Sequence, residues 1–202
     1  MADKQPIQER SKITFRSILE ATTQILNRAG DATLTTRGIA ERAGVSIGSL
    51  YQYFSNTDSV LSEVLRDRIK NDVREVWAVF EAGATLDLQP RFEAVFKRIL
   101  ETHLPLGRVR TALFQRAASL KMVGFARDEV ETLTRKMFAE LKRAGKLRSD
   151  LNDELTIYLL SRTVFGVTMS ATIDHEKTKG LENDLARELA RLLTGYVAPD
   201  RH

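Results

Sequence analysis

Residues 34–54 read LTTRGIAERAGVSIGSLYQYF, and this stretch decides the fold. Two short helical runs, 36–43 and 46–54, flank Gly44. A tight turn between two helices needs a residue with a positive φ angle, which glycine adopts at little cost. The stretch therefore predicts a helix-turn-helix unit with its turn at Gly44.

The apolar residues of this stretch suit an inner, core-facing side. Ile39 and Ala40 fall on one face of the first helix, and the small Ala40 allows the second helix to cross closely above it. Val45 fills the turn. Leu50 and Phe54 stand four residues apart, so they lie on one face of the second helix and anchor it on the core.

The remaining residues of the second helix are left for an outward face. Ser46 is placed to cap the helix, since a serine hydroxyl accepts a hydrogen bond from a first-turn N–H. The outward residues are then Ile47, Gly48, Ser49, Tyr51, Gln52 and Tyr53.

Elsewhere the apolar residues recur every three or four positions, which indicates amphipathic helices. No stretch shows the alternation of a strand. The spacing predicts further helices that end at Gly30, run over 60–80, begin at Pro90, cover 108–120, end at Gly145, and cover 155–173 and 181–193. The sequence therefore predicts an all-α chain of about nine helices, with the short connections of helical bundles.

Helix length suggests two domains. Residues 8–56 hold three short helices, while 57–199 hold longer ones. The long helix that starts near Asn56 joins them. We expect the first domain to carry the helix-turn-helix and the second to be a larger helical domain.

Composition excludes several classes of protein. The 202 residues include no cysteine, so disulfides and thiolate metal sites are excluded. The three histidines (His103, His175 and His202) lack metal-ligand spacing, and no catalytic triad or marked carboxylate pair is present. The polar N-terminus and the absence of a long apolar run predict a cytoplasmic protein without a membrane segment. We expect neither an enzyme nor a bound cofactor.

The net charge of +4 is compatible with nucleic-acid binding. Residues 1–56 carry seven Lys/Arg and five Asp/Glu, a net of +2, and the remaining residues carry the other +2. The charge therefore does not place a binding surface at one end of the chain.

Specific residues of the helix-turn-helix resemble a known family. The block Ile39-Ala-Glu-Arg-Ala-Gly-Val-Ser46, followed by Gly48-Ser-Leu-Tyr51, Tyr53-Phe54, Asp58 and Leu61, is similar to the N-terminal signature of TetR-type transcription regulators. The likeness covers residues 11–61; beyond it, only helix number and length are similar. It implies a homodimer, most simply a repressor, whose second short helices enter the major groove of a palindromic operator at two half-sites.

The resemblance also implies which residues meet DNA. Thr36 and Arg37 would lie beside phosphates at the start of the first motif helix. Gln52 could hydrogen-bond a base, because its amide both donates and accepts. The full set implied is Thr36, Arg37, Ser46, Ile47, Gly48, Ser49, Tyr51, Gln52, Tyr53 and Thr57.

One position departs from the family pattern. Where the family usually has a phosphate-contacting lysine, this chain has Thr57. Ser55 and Asp58 have the spacing of a capping box for the helix that starts here. Thr57 can donate one neutral hydrogen bond, so we expect a weaker salt dependence of DNA binding than a lysine would give.

The second domain is expected to serve dimerisation and effector binding. The apolar 155–173 segment and the leucine stripe of 181–193 predict a dimer interface through the last two helices, with intrachain packing as the alternative. Candidate contacts for a small, apolar effector are Trp77, Phe96, His103, Phe114, Phe165 and Met169. Core packing would explain these residues equally well. An adaptor that acts through a protein partner, without a small-molecule ligand, is the alternative function.

Overall fold

The computed structural model describes residues 4–29, 34–103 and 120–199. In these ranges the chain forms nine α-helices and no strand, which confirms the predicted all-α class. None of the described helices is both long and apolar enough to cross a membrane. The helices are α1 (Lys4–Ala29), α2 (Thr36–Ala43), α3 (Ile47–Tyr53), α4 (Thr57–Ala82), α5 (Leu88–His103), α6 (Met122–Arg143), α7 (Asp153–Ile173), α8 (His175–Thr178) and α9 (Glu182–Val197).

The described residues form two compact units. Residues up to Arg68, with 120–122, make up the first unit, which holds α1, α2, α3 and the first part of α4. Residues 69–103 and 123–199 make up the second, which holds the remainder of α4 and nearly all of α5 to α9. The predicted helix over 108–120 and the predicted helix end at Gly30 lie outside the described residues.

A small hydrophobic core holds the first unit together. Every helix of the unit contributes at least one buried side chain to this core, and α4 contributes Val60. Helices as short as α2 and α3 are marginal in water and depend on such packing. Helix α1 has 26 residues, so the prediction that it is short was wrong. The buried cluster consists of Ile18, Ile39, Ala40, Leu50, Phe54 and Val60.

The second unit has a larger core, in which α5 packs against α9 and α7. Phe80 of α4 and Leu100 of α5 are among its most deeply buried side chains. The leucine stripe predicted for the last helix is divided by the fold. Leu189 and Leu193 are buried in this core, whereas Leu192 is exposed.

Arg91 is a buried cation that joins three helices of the second unit. Its Nε donates to the Phe80 carbonyl at 2.9 Å, and its Nη2 donates to Glu140 Oε1 at 2.6 Å. The guanidinium also lies 3.5 Å from the centroid of the Phe80 ring. A charge so fully removed from water needs such partners. Arg91 thereby links α4, α5 and α6.

The helix ends agree only partly with the sequence. Gly145, with φ 65°, follows α6 as predicted. Helix α5 begins at Leu88, so the prediction of a start at Pro90 was wrong by two residues. Pro90 still lies in the first turn, where a missing N–H breaks no helical bond. The single turn α8 was not predicted.

Candidate nucleic-acid interface

The turn between α2 and α3 is built on Gly44. This residue has φ 69° and ψ 28°, the left-handed region that was predicted for it. The next N–H, that of Val45, donates to the Ala40 carbonyl at 3.0 Å and closes the end of α2. The chain therefore leaves α2 and enters α3 within three residues.

Side-chain hydroxyls cap both helices of the motif. Thr35 Oγ1 accepts the Gly38 N–H at 3.0 Å at the start of α2. Ser46 Oγ accepts the Ser49 N–H at 3.0 Å at the start of α3, which confirms the predicted cap. The Ser46 and Ser49 hydroxyl oxygens are also 2.8 Å apart, within hydrogen-bond distance. These bonds satisfy helix-end donors that would otherwise need water.

Buried side chains fix which face of α3 points inward. Leu50 has no exposed surface and Phe54 is buried, and both belong to the core of the first unit. Ile39 and Ala40 of α2 lie in the same cluster, and Val45 packs against it. The predicted inner face is confirmed at all five of these positions.

The opposite side of α3 is open and carries no charge. Ile47 and Tyr51, one helical turn apart, are 43% and 52% exposed. Gly48 and Gln52, also one turn apart, form a parallel exposed row. Ser49 is half-buried beside them. No residue of α3 is acidic or basic, so this face can offer hydrogen bonds and apolar contact but no ionic contact.

The start of α2 adjoins this face. The hydroxyl oxygens of Thr36 and Tyr51 are 3.3 Å apart, close enough for a weak hydrogen bond between α2 and α3. Arg37, the next residue, is exposed. The cation Arg37 therefore follows directly after Thr36, which contacts the exposed side of α3.

Tyr53 is placed differently from Tyr51. It is half-buried, and its ring meets Phe15 edge to face with centroids 6.2 Å apart. Phe15 in turn stacks on Phe54 at 5.2 Å. The Tyr53 hydroxyl donates to Ser11 Oγ of α1 at 3.0 Å. Sequence reasoning missed Ser11, because 42 residues separate it from Tyr53 and no spacing rule connects them.

The start of α4 is capped by a different pair from the one predicted. Asn56 Oδ1 accepts the Ser59 N–H at 2.8 Å, and Ser59 Oγ accepts the Asn56 N–H at 3.3 Å. The prediction of Ser55 with Asp58 was therefore wrong by one residue. An asparagine amide oxygen performs the same acceptor role as a serine hydroxyl. Thr57 is the first residue of α4 and is half-buried.

The candidate effector residues have different surroundings. Phe96 is buried in the core of the second unit. Trp77 is half-buried against that core, with Lys136 Nζ 3.5 Å from its ring centroid. Phe165 and Met169 are half-buried on α7. His103 ends α5, but its side chain and all of Phe114 lie outside the described residues. The described residues include no group of three or more potential metal-ligating side chains.

Helices α7 and α9 expose an unusual amount of apolar surface. Leu159 of α7 and Leu192 of α9 are 42% and 62% exposed. Single exposed apolar residues are ordinary, but several of them on two helices of one unit make a candidate interaction surface. The exposed set, called here the α7–α9 surface, is Leu155, Tyr158, Leu159, Ile173, Leu181, Leu192 and Tyr196.

Charged pairs adjoin the first turn of α7. Arg135 of α6 donates to both carboxylate oxygens of Glu154, at 2.6 and 2.9 Å. These hydrogen bonds are the main reason that the pKa of Glu154 is lowered from its ordinary value. Arg162 of α7 donates to Glu131 at 2.6 Å. These two ion pairs join α6 to α7.

The motif region and the whole chain both have known counterparts. Residues 18–64, which include all of α2 and α3, match the family model described as bacterial regulatory proteins, tetR family. The chain is 26% identical over 202 residues to the HTH-type transcriptional repressor KstR of Mycobacterium tuberculosis, across 96% of this chain and 87% of KstR.

Solved structures share the fold at low sequence identity. A Mesorhizobium loti protein assigned to the TetR family of transcriptional regulators aligns with a TM-score of 0.73 at 16% identity, over 94% of this chain and 98% of that one. SmeT, the repressor of the Stenotrophomonas maltophilia multidrug efflux pump SmeDEF, aligns with a TM-score of 0.66 at 19% identity, over 92% and 91%. SmeT has also been solved as a complex with triclosan.

Proposed function

We propose a function from the premise that this chain belongs to the TetR family of transcriptional regulators. In this proposal it is a homodimeric repressor that binds a palindromic operator and releases it when a small effector binds. Residues 8–56 bind the DNA, and 57–199 hold the effector and the dimer contacts. The observation that carries the proposal is α3, whose buried Leu50 and Phe54 leave an uncharged row of polar and aromatic residues exposed.

The exposed row supports recognition of bases in the major groove. Gln52 can donate to and accept from one base edge, which gives discrimination between base pairs. Tyr51 and Ile47 offer apolar surface of the kind that contacts a thymine methyl group. Gly48 has no side chain, so the backbone can approach DNA closely, and Ser49 adds a short hydroxyl.

Residues at the helix ends support contacts to phosphates. Arg37 carries a positive charge at the start of α2, where it can release counterions from the DNA backbone. The hydroxyls of Thr36 and Ser46 lie at the starts of α2 and α3, and Thr57 lies at the start of α4. Such contacts fix the register of the protein on DNA but carry no sequence information.

The α7–α9 surface supports a symmetric dimer. A two-fold dimer uses the same patch on both subunits, so an apolar surface on each would be covered by the other. Two copies of α3 would then address half-sites about 34 Å apart, one turn of DNA. This spacing is the geometric reason for a palindromic operator.

The effector would act through a population shift. Two dimer arrangements with different spacing between the α3 helices would bind DNA differently, and an effector that favours the wider one would lower operator affinity. The solved complex of SmeT with triclosan supports a small ligand for this fold. Trp77, Phe96, Phe165 and Met169 are the described candidates for its contacts, with His103 and Phe114 as further candidates.

Selection from a random DNA duplex library with the purified protein tests the proposal. We expect enrichment of an inverted repeat whose half-sites lie about one helical turn apart. Gln52→Ala should relax the preference at one base pair of each half-site, by about 1–3 kcal/mol. Gln89→Ala, which removes a glutamine from α5 in the second unit, is the matched control and should leave the selected sequence unchanged.

Two results would contradict parts of the proposal. Failure of the folded wild-type protein to enrich any sequence would argue against operator binding. An enriched operator that no small molecule releases, in a screen that follows both DNA binding and the fluorescence of Trp77, would favour the adaptor that works through a protein partner. Trp77 is the sole tryptophan of the chain, so its emission reports on the second unit alone.

A further inference from the structure

The hydroxyl of Tyr53 is already engaged within the protein. Its O–H donates to Ser11 Oγ at 3.0 Å, and its ring packs edge to face on Phe15. Tyr51, two residues earlier, has a ring that is half exposed. The two tyrosines of α3 therefore have different surroundings: Tyr53 packs and hydrogen-bonds within the protein, whereas Tyr51 is exposed.

The direction of this hydrogen bond matters for Ser11. A serine hydroxyl has one O–H donor and two acceptor lone pairs. Because Tyr53 supplies the proton of the shared bond, Ser11 uses a lone pair there and keeps its own O–H for a second acceptor. A hydroxyl that receives one hydrogen bond is also polarised toward donating another.

The position of Ser11 suits a phosphate as that second acceptor. Tyr53 follows Gln52 directly, so Ser11 lies beside the end of α3 that carries the exposed glutamine. Lys12, the next residue of α1, is exposed and adds positive charge. Helix α4 begins with Thr57, which carries no charge and can donate only one hydrogen bond to a phosphate.

We propose that Ser11 of α1 contacts a backbone phosphate of the operator, and that Tyr53 is a positioning residue which holds the Ser11 hydroxyl in place for it. The inference rests on the proposed DNA-binding function. It adds α1 to the interface and replaces a direct DNA contact of Tyr53 with an indirect one. Because every nucleotide carries the same phosphate, this contact strengthens binding without reading the sequence.

The experiment uses the full-length protein and the operator recovered by selection. Ser11→Ala and Tyr53→Phe should each weaken binding by about tenfold, as expected for a hydrogen bond to a charged group. The double variant should be no weaker than Ser11→Ala alone, because both changes remove one shared contact. Ser17→Ala, at another half-buried serine of α1, is the matched control and should bind like the wild type.

A second measurement separates a phosphate contact from a structural role. Operators with a single uncharged methylphosphonate at successive positions are titrated with each variant. One position should weaken the wild-type protein and Ser11→Thr, which keeps a hydroxyl, but leave Ser11→Ala unaffected. Thermal unfolding of each variant reports whether the fold has changed.

The outcomes are distinct. Weak binding by Tyr53→Phe with normal binding by Ser11→Ala would mean that Tyr53 touches DNA itself, and would overturn the proposal. If every methylphosphonate weakened the wild type and Ser11→Ala equally, Ser11 would not contact a phosphate. The Tyr53–Ser11 hydrogen bond would then have only a structural role, and the proposal would be overturned. Binding of no duplex by the wild-type protein would overturn the proposed function, and this inference with it.

Discussion

Replacement of Gly44 by alanine tests the physical basis of the turn between α2 and α3. Gly44 has φ 69°, which an L-residue adopts at a cost of roughly 1–2 kcal/mol. A Cβ atom built on Gly44 meets no atom within 4 Å, so the substitution adds no collision. The whole effect should therefore be conformational. We expect Gly44→Ala to destabilise the first unit by about 1–2 kcal/mol.

Because alanine fits the space, the turn should keep its geometry once folded. Operator affinity, measured well below the unfolding transition, should change by less than about threefold. Hydrogen–deuterium exchange of peptides from α2 and α3 measures the local opening free energy, which should fall by the predicted amount. Gly44→Asn should cost less, since asparagine tolerates this backbone region better.

Gly145→Ala provides a matched control in the second unit. Gly145 has φ 65° and also has no atom within 4 Å of a built Cβ. This substitution should lower the local opening free energy near the end of α6 by a similar amount. The opening free energies of α2 and α3 should not change. A loss of operator affinity of more than about tenfold in folded Gly44→Ala would refute the reasoning, because it would mean that the turn relaxes instead of holding its strain.

Three further predictions concern the caps, the exposed apolar surface and the buried ion pair. Ser46→Ala should destabilise the first unit by about 1 kcal/mol in thermal unfolding, because the cap of α3 is lost. Ser46→Asp should keep the cap but lose DNA affinity in a gel shift, because its carboxylate repels a phosphate; equal DNA affinity of the two variants would contradict a phosphate near Ser46. Leu192→Glu should convert the proposed dimer to a monomer in sedimentation analysis, while Leu86→Glu, at another exposed leucine of the second unit, should not; a dimeric Leu192→Glu protein would exclude the α7–α9 surface as the dimer interface. Glu140→Gln should cost about 1–3 kcal/mol of unfolding free energy because its arginine partner is buried, and Glu154→Gln, in an exposed pair, should cost clearly less; equal destabilisation by the two changes would contradict a role for burial.

The features of the helix-turn-helix that could be predicted from the sequence depend on contacts between residues close together in the chain. Gly44, Ser46 and Leu50 act through bonds or packing within a few residues, so their spacing alone identified the turn, the cap and the buried face. The prediction from spacing was wrong by one residue at the start of α4. Ser55 and Asn56 are both good capping residues, and only the folded backbone decides between them.

Contacts between residues far apart in the chain could not be predicted from local sequence patterns. Ser11 meets Tyr53 across 42 residues, and nothing in the local pattern of α1 marks that serine. Arg91 is buried between two helices that supply a carbonyl and a carboxylate, and no spacing rule connects it with either partner. The division of the last leucine stripe into buried Leu189 and exposed Leu192 likewise depends on where α5 packs.

The absence of charge from α3 has a consequence for how such a regulator could change. Its seven residues, Ile47–Tyr53, contain no ionic group, while the nearby cations Lys12 and Arg37 belong to α1 and α2. Ionic contacts set the salt-dependent part of DNA affinity, whereas base-edge contacts set the preferred sequence. In the proposed function, the two properties thus depend on separate helices.

Separate helices make the two properties separately adjustable. Substitutions at Gln52 or Ile47 could redirect the protein to a new operator while the salt-dependent part of its DNA affinity stays constant. Substitutions at Arg37 could tune occupancy at a given salt concentration without altering the operator sequence. A regulator organised in this way can acquire new target genes by small steps, and the same division would let an engineer build sets of non-interfering repressors from one scaffold.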